Sequence, residues 1–336
     1  MRPGTDLSKR RALRDLLWIL NQPAPFSKIP GIDAAVLSLD FLAESDRARL
    51  EKTAETAQML STHMAKPRSN RLGIYFEALL SFYFQHCQML EESKQESSPK
   101  NNMARYRLHA QNLQVYDLQR TLGAFDFIVT DKKTNKNYHL EAALKFYLGY
   151  DNALPTINNN LPCYNWHQWV GPKQNDTLAI KLNHLFQHQL HLSKTHEGKQ
   201  ALSELDIDAS AIQRRLWYCG YFYFPFSTTI DTPKYAHITG PKHYWIKLSE
   251  LGLLKQWITK NRSILCFLPR AYWLSSVTKE EMTNELMCIH GDQLMDFIWL
   301  DEIQKYSELQ FAEIIDPQQK DRKENYEIRR WFVVRD

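Results

Sequence analysis

The sequence predicts an α/β protein: a helical opening section, a meander of strands, one further helix and a strand-rich extension. Apolar residues recur at helical spacing as far as Leu90, and beyond Tyr106 the period changes to two. Composition supports a packed core, with 43% hydrophobic and 12% aromatic residues in a chain of 336, and 11 glycines argue against a fibrous or low-complexity chain. At this length one elaborated domain and two abutting ones are both compatible with a full core.

The opening run from Leu7 to Leu20 carries Lys9, Arg10, Arg11 and Arg14 ahead of a short apolar stretch, Leu16 to Leu20. With no small-residue cleavage site after it, it reads as an amphipathic helix rather than a signal. Pro23, Pro25 and Pro30 break the pattern, Ala34 to Met64 resumes it, and Arg71 to Leu90 forms a strongly apolar helix ending at a polar loop, Glu91 to Lys100. Tyr106 to Val115 is a broken strand pattern. Leu122 to Thr130 and Asn137 to Leu148 are cleaner and are joined by the hairpin turn Asp131 to Lys136. After a proline- and asparagine-rich connection, Ala153 to Pro162, a helix capped by Asp176 is expected to run to Ser193 with a stripe of Leu178, Leu182, Leu185, Gln189 and Leu192. A glutamine in an apolar stripe requires a polar partner. Strands follow at Leu216–Phe224, His243–Leu248, Ser263–Leu268, Met295–Leu300, Glu308–Ile315 and Tyr326–Val334, with helices at Ser249–Thr259 and Thr278–Ile289. This divides the chain into a helical section, 1–66, a core, 67–225, and a mixed extension packed on it, 226–336.

A net charge of +4 permits an anionic partner without demanding one. The 5 cysteines are dispersed and never form a CxxC pair, so no disulfide framework or zinc ribbon is expected and a reducing, cytoplasmic setting fits best. Leu216 to Phe226, the most apolar stretch, is too short to span a bilayer. No phosphate-binding glycine loop, serine-nucleophile elbow or dinucleotide fingerprint is present.

Chemistry concentrates in a few charged residues. Strand alternation sets Ala124, Asp126 and Ile128 on one face and Phe125, Phe127 and Val129 on the other. On the second strand His139, Glu141, Ala143 and Lys145 oppose Leu140, Ala142, Leu144 and Phe146. Asp126 and Glu141 thus face each other across the hairpin, and Glu77 lies in the apolar helix before it. Hard oxygen ligands with a nearby lysine can hold a divalent ion and a water against a phosphodiester. The bland reading is a solvated strand face with an ordinary Glu–Lys pair. His184, His188 and His191 share one side of the expected helix, although an exposed face without a metal explains them more simply. Lys132, Lys133, Lys136, Arg105, Arg107, Arg329 and Arg330 could meet phosphates if gathered around one cleft, and Trp166, Trp169, Tyr221, Tyr223 and Trp273 could stack bases.

The order of elements, a helix with Glu77, a meander carrying Asp126 and Glu141, a helix with Gln189 and a further strand, resembles the αβββαβ core of the restriction-endonuclease-like superfamily, the PD-(D/E)xK phosphodiesterases. A closer resemblance spans most of the chain. Gly73–Glu77, Phe125–Phe127, His139–Leu148, Trp169–Pro172 with Asp176 and Lys181, and Trp331–Val334 are similar to the bacterial domain-of-unknown-function family 1853. The superfamily resemblance implies that Asp126, Glu141 and Glu77 hold Mg²⁺ (or Mn²⁺), that Asp126, Glu141 and Lys145 are catalytic, and that Gln189 touches substrate or a neighbouring ligand. Lys181 is a further supporting candidate, and His139, on the acid face of the hairpin, either tunes the site or, the simpler reading, contacts solvent. Its usual lysine stands two residues after the second acid, where this chain has Ala143. Lys145 is then a migrated equivalent, its Cα roughly 6–7 Å further along the strand. The expected function is a metal-dependent nuclease acting on DNA. The alternative is an inactive nuclease-fold module that binds nucleic acid or a protein partner.

Overall fold

The computed structural model describes residues 6–39, 54–64, 71–86, 105–118, 120–151, 164–306, 308–315 and 327–336. Among these, helices α1 (Asp6–Asn21), α2 (Ala34–Leu37), α3 (Ala54–Met64) and α4 (Leu72–His86) precede a meander of β1 (Tyr106–Asp117), β2 (Arg120–Asp131) and β3 (Lys136–Gly149). A two-residue strand β4 (Trp169–Val170), helix α5 (Leu178–Gln187), a 3₁₀ turn (Gln189–Lys194) and helix α6 (His196–Ser203) lead to β5 (Gln213–Pro225). Beyond it come β6 (His243–Lys247), α7 (Leu251–Asn261), β7 (Ser263–Phe267), β8 (Cys288–Ile289), β9 (Leu309–Ile315) and β10 (Glu327–Val334).

All the strands join one sheet in the order β1-β2-β3-β5-β6-β10-β9-β7-β8, with β4 paired beside β3. The middle, β3-β5-β6-β10, is parallel and the flanks are antiparallel. Parallel neighbours need long crossovers, and these supply the cover on the sheet faces. The β3-to-β5 crossover carries α5 and α6. The extension after residue 225 therefore continues the sheet of the core, since β6 pairs with Tyr223–Pro225 of β5.

One face packs on α1, α3 and α4 through Leu16, Ile19, Leu60, Leu79, Leu80 and Phe84 against Phe127, Leu140, Leu148 and Trp217. On the other, Leu178, Leu182 and Leu185 of α5 meet Ala143, Tyr147 and Phe222. Nearer the hairpin, Leu192, Leu202 and Ile207 cover Val115, Phe125 and Ile128. Helix α4 is apolar around its whole circumference and buried almost continuously from Phe76 to Phe84; Glu77 is the half-buried exception.

A buried ionic network ties the ends of the chain together. Arg11 pairs with Asp15 at 3.1 Å and donates to the Ser275 carbonyl at 2.7 Å. Asp15 also accepts from Ser275 N–H and Oγ–H and, at 2.9 Å, from Tyr75 of α4. Arg330 of β10 reaches the same Ser275 carbonyl at 2.7 Å and pairs with Glu327 at 2.7 Å. Arg330 and Arg329, which pairs with Glu313, are thus committed to the fold rather than to phosphates. Arg105 is likewise held by Asp131 at 3.3 Å, and Trp166, Trp169 and Tyr223 are buried, unable to stack on bases.

Several expectations are corrected. Met295–Leu300 is not a strand: Leu294–Ile298 is a short helix whose Leu294, Phe297 and Ile298 are buried, a helical spacing that a short apolar run hides. The helix expected over Thr278–Ile289 stops at Asn284, and Cys288–Ile289 is a strand. That strand sets Cys288 directly opposite Cys266, with Cα atoms 4.0 Å apart, and the two form a disulfide that spacing along the chain could not reveal. The cysteine argument for a reducing compartment therefore falls. Ala34–Met64 contains α2 and α3, with residues 40–53 outside the described set, as are the loop at 91–100 and the connection at 153–162. Among the described residues no helix is long and apolar enough to cross a membrane.

Breaking a buried ion pair on one side leaves an uncompensated charge. Arg330→Ala is expected to lower the free energy of unfolding by about 3–5 kcal/mol, read from the urea midpoint; a loss below about 1 kcal/mol would show that the network does not hold the ends.

Candidate functional site

The β2–β3 ladder pairs Asp131 with Lys136 through Phe127 with Leu140, and regular pairing ends there. In the next position Asp126 Oδ2 accepts the Ala142 N–H at 2.9 Å, so a carboxylate replaces a backbone carbonyl as the cross-strand acceptor. On the other side, Asn112 of β1 has φ 51°, within a strand whose register with β2 shifts between Leu108 and Ala110. Its Nδ2–H donates to Glu77 at 3.1 Å. The expected faces are corrected here: Phe125 packs with Ile128 and Val115 rather than with Phe127 and Val129, and its ring lies edge-on to His139 with centroids 4.7 Å apart.

Glu141 is fully buried. Its Oε1 faces His139 Nε2 at 2.8 Å, its Oε2 accepts from Gln189 Nε2 at 2.7 Å, and its carboxyl group is in hydrogen-bond contact with that of Asp126. The Gln189 carbonyl accepts from Lys181 Nζ at 3.0 Å and His184 Nδ1 at 2.9 Å, which fixes the amide orientation from both ends. This is the polar partner that glutamine required. Helix α5 ends at Gln187, and Gln189 reaches Glu141 from the 3₁₀ turn after it.

Electrostatics follow from burial. Loss of solvent, then repulsion by Glu141, pushes Asp126 up to about 7 against the Ala142 N–H. Burial pushes Glu141 up to about 7 as well, with hydrogen bonds from Asp126 and the charge of Lys181 opposing it. Burial lowers His139 to about 3, so it is a neutral imidazole, and its Nδ1 has no hydrogen-bond partner. Lys181 is lowered by burial and then by Lys145, while both acids pull it the other way. The site is a pair of acids that resist joint ionisation, faced by one lysine.

Lys145 lies elsewhere in this network. It shares the Glu141 face of β3, but its Nζ is bound to Asp176 Oδ2 at 2.5 Å. The turn that carries Asp176 is anchored to the same strand, because β4 pairs with Leu148–Gly149 and Gly171 N–H donates to the Asp176 carbonyl at 2.8 Å. With its carboxylate so engaged, Asp176 is not the cap of α5; Thr177 is, accepting from Ile180 N–H at 3.2 Å. Opposite Lys145, Gly220 sits at φ 144°, and a Cβ there would lie 1.6 Å from the Lys145 carbonyl oxygen. A glycine is required for β5 to approach β3 at this point.

Residues 14–334 match the family described as a domain of unknown function (DUF1853). The chain belongs to that family. No curated protein and no solved structure matches it. The candidate site in this DUF1853 chain brings together Asp126, Glu141, His139, Gln189 and Lys181 of the residues singled out in the sequence. Glu77 is near enough to raise Glu141 electrostatically but is bonded to Asn112, and among the described residues no group of three or more His, Cys, Asp and Glu is disposed around a metal position. His184 turns to Gln189, with the His188 ring 5.5 Å from its own, and His191 lies on the separate 3₁₀ turn, so the three histidines do not share a helix face. Sequence reasoning missed Asp176 as the partner of Lys145; two charges 31 positions apart carry no local signal of pairing.

Because the folded-state affinities of Asp126 and Glu141 for protons are raised, the metal-free fold binds more protons than the unfolded chain between about pH 4 and 7. Stability from these groups is present below pH 4, declines as pH rises to 7 and stays lost above it. Asp126→Asn keeps the acceptor for Ala142 and removes the repulsion. It is expected to stabilise the metal-free protein by on the order of 1–3 kcal/mol at pH 8 and far less at pH 5, read by thermal unfolding; an equal effect at both pH values would contradict the shared burial.

Proposed function

We propose that this DUF1853 protein is a Mg²⁺- or Mn²⁺-dependent phosphodiesterase acting on nucleic acid, DNA first, built on a PD-(D/E)xK-like core. The observation that carries the reading is the buried contact between the Asp126 and Glu141 carboxyl groups, both raised to about 7. Two carboxylates that cannot comfortably ionise together are an electrostatic deficit that a divalent cation offsets. They suit Mg²⁺, which takes one or two protein carboxylates and completes its shell with water and phosphate oxygens. The succession α4, antiparallel β1-β2-β3, α5 and a strand β5 parallel to β3 supports the fold-level comparison.

Asp126 and Glu141 would hold the ion, with Glu77 close enough to reach it through water. When bound, it would supply Lewis-acid activation of a water and of the scissile phosphate. The protein groups do the rest. His139 and Gln189 each engage one oxygen of Glu141 and fix its plane. In the hydrolysis an O–P bond forms to water, the P–O bond to the leaving oxygen breaks, and one water proton ends on the leaving alkoxide. The products are a phosphomonoester and an alcohol. A local positive charge stabilises the negative charge that builds on the phosphoryl oxygens.

Calorimetric titration of the metal-free protein with Mn²⁺ is expected to give one site whose affinity weakens roughly tenfold or more from pH 8 to pH 6, as protons compete for both acids. Asp126→Ala and Glu141→Ala should bind no ion there and lose Mg²⁺-dependent cleavage of a labelled oligodeoxynucleotide. Absence of binding in the wild type contradicts the proposal. Binding without cleavage of DNA or RNA supports the alternative, a nuclease-fold module that holds nucleic acid without cutting it.

A further inference from the structure

We infer that the lysine of this reaction is Lys181 on α5, tethered by Gln189, and that Lys145 on the strand is a structural partner of Asp176. The inference rests on the proposed phosphodiesterase reading and deepens it. The position two residues beyond the second acid, where a strand lysine would stand, is Ala143, which is buried beneath Leu178 and Leu182 of α5. The helix occupies the space that a long side chain from Ala143 would need. It returns a cation to the same place from above: Lys181 Nζ lies 3.0 Å from Gln189 Oε1, and Gln189 Nε2 lies 2.7 Å from Glu141 Oε2, so one amide links the lysine to the acid. The charge of Lys181 acts on both Asp126 and Glu141. A neutral amide acceptor holds the ammonium without cancelling its charge. Lys145, by contrast, is paired with a carboxylate at 2.5 Å in a turn fastened to its own strand. Of the two lysines, the one held by a neutral partner beside the acids is Lys181.

The two lysines can be separated by a readout that does not depend on turnover. A cation beside a metal site weakens metal binding, so Lys181→Met should bind Mn²⁺ roughly three- to tenfold more tightly than wild type, while Lys181→Arg keeps wild-type affinity. Lys145→Met should leave Mn²⁺ affinity within about twofold, because its charge is already compensated. In single-turnover cleavage of a labelled duplex oligodeoxynucleotide, Lys181→Met should be slower by about 10²–10³-fold and Lys145→Met by less than about threefold. Gln189→Leu should lower kcat about tenfold with KM unchanged, as expected for a residue that positions the lysine. Circular dichroism and melting temperature confirm that each variant is folded. If wild type binds Mn²⁺ but Lys181→Met matches it in affinity and cleavage, or Lys145→Met is the variant that alters both, the inference is overturned and the phosphodiesterase reading stands. If wild type binds no Mn²⁺, both are overturned.

Discussion

The contact between two buried carboxyl groups, Asp126 and Glu141, sets the terms for everything around them. Taking carboxylates out of water raises their proton affinity, and bringing them together raises it further. The protein does not relieve this by opening the site to solvent. It satisfies the oxygens individually: the Ala142 N–H on Asp126, His139 and Gln189 on Glu141. Such an arrangement lowers stability at neutral pH and is retained where a site needs it. The neutral His139 fits the same burial, which disfavours its protonated form as it disfavours the ionised acids.

The scaffold makes the contact unavoidable. The β2–β3 ladder runs regularly from the hairpin turn and ends one residue short of the acids, so the geometry that sets Phe127 against Leu140 also sets Asp126 beside Ala142. Helices α1 and α4, locked to the 275–281 segment and β10 through Asp15, Arg11 and Arg330, close one face of the sheet. Helix α5 and the turn after it close the other and deliver Lys181 and Gln189. Among the described residues the strand-rich extension makes no hydrogen bond with the acids, and it continues the parallel β3-β5 pair with β6 on a sheet covered on both faces.

Much of this could be read in the sequence where periodicity decides. The hairpin, the opposed acids and the demand of Gln189 for a polar partner all follow from spacing alone, and the structure places them together. What escaped is set by tertiary context. Phe125 shares a cluster with Ile128 rather than with Phe127 and Val129 where the pairing of β2 with β3 has ended, and alternation assumes a regular ladder. Lys145 is drawn to Asp176 by a turn folded back on β3, a pairing invisible to a count along the strand. The Cys266–Cys288 disulfide joins residues made neighbours only by an antiparallel strand of two residues. The 294–298 helix was too short for its period to be told from a strand's.

The central claim is that the two acids are held together in order to share a cation. Anomalous diffraction from crystals soaked in Mn²⁺ tests it most directly. A single ion bridging Asp126 and Glu141 at about 2.0–2.3 Å from an oxygen of each is the predicted result. Ions bound elsewhere, with the two carboxyl groups still in contact with each other, would contradict it.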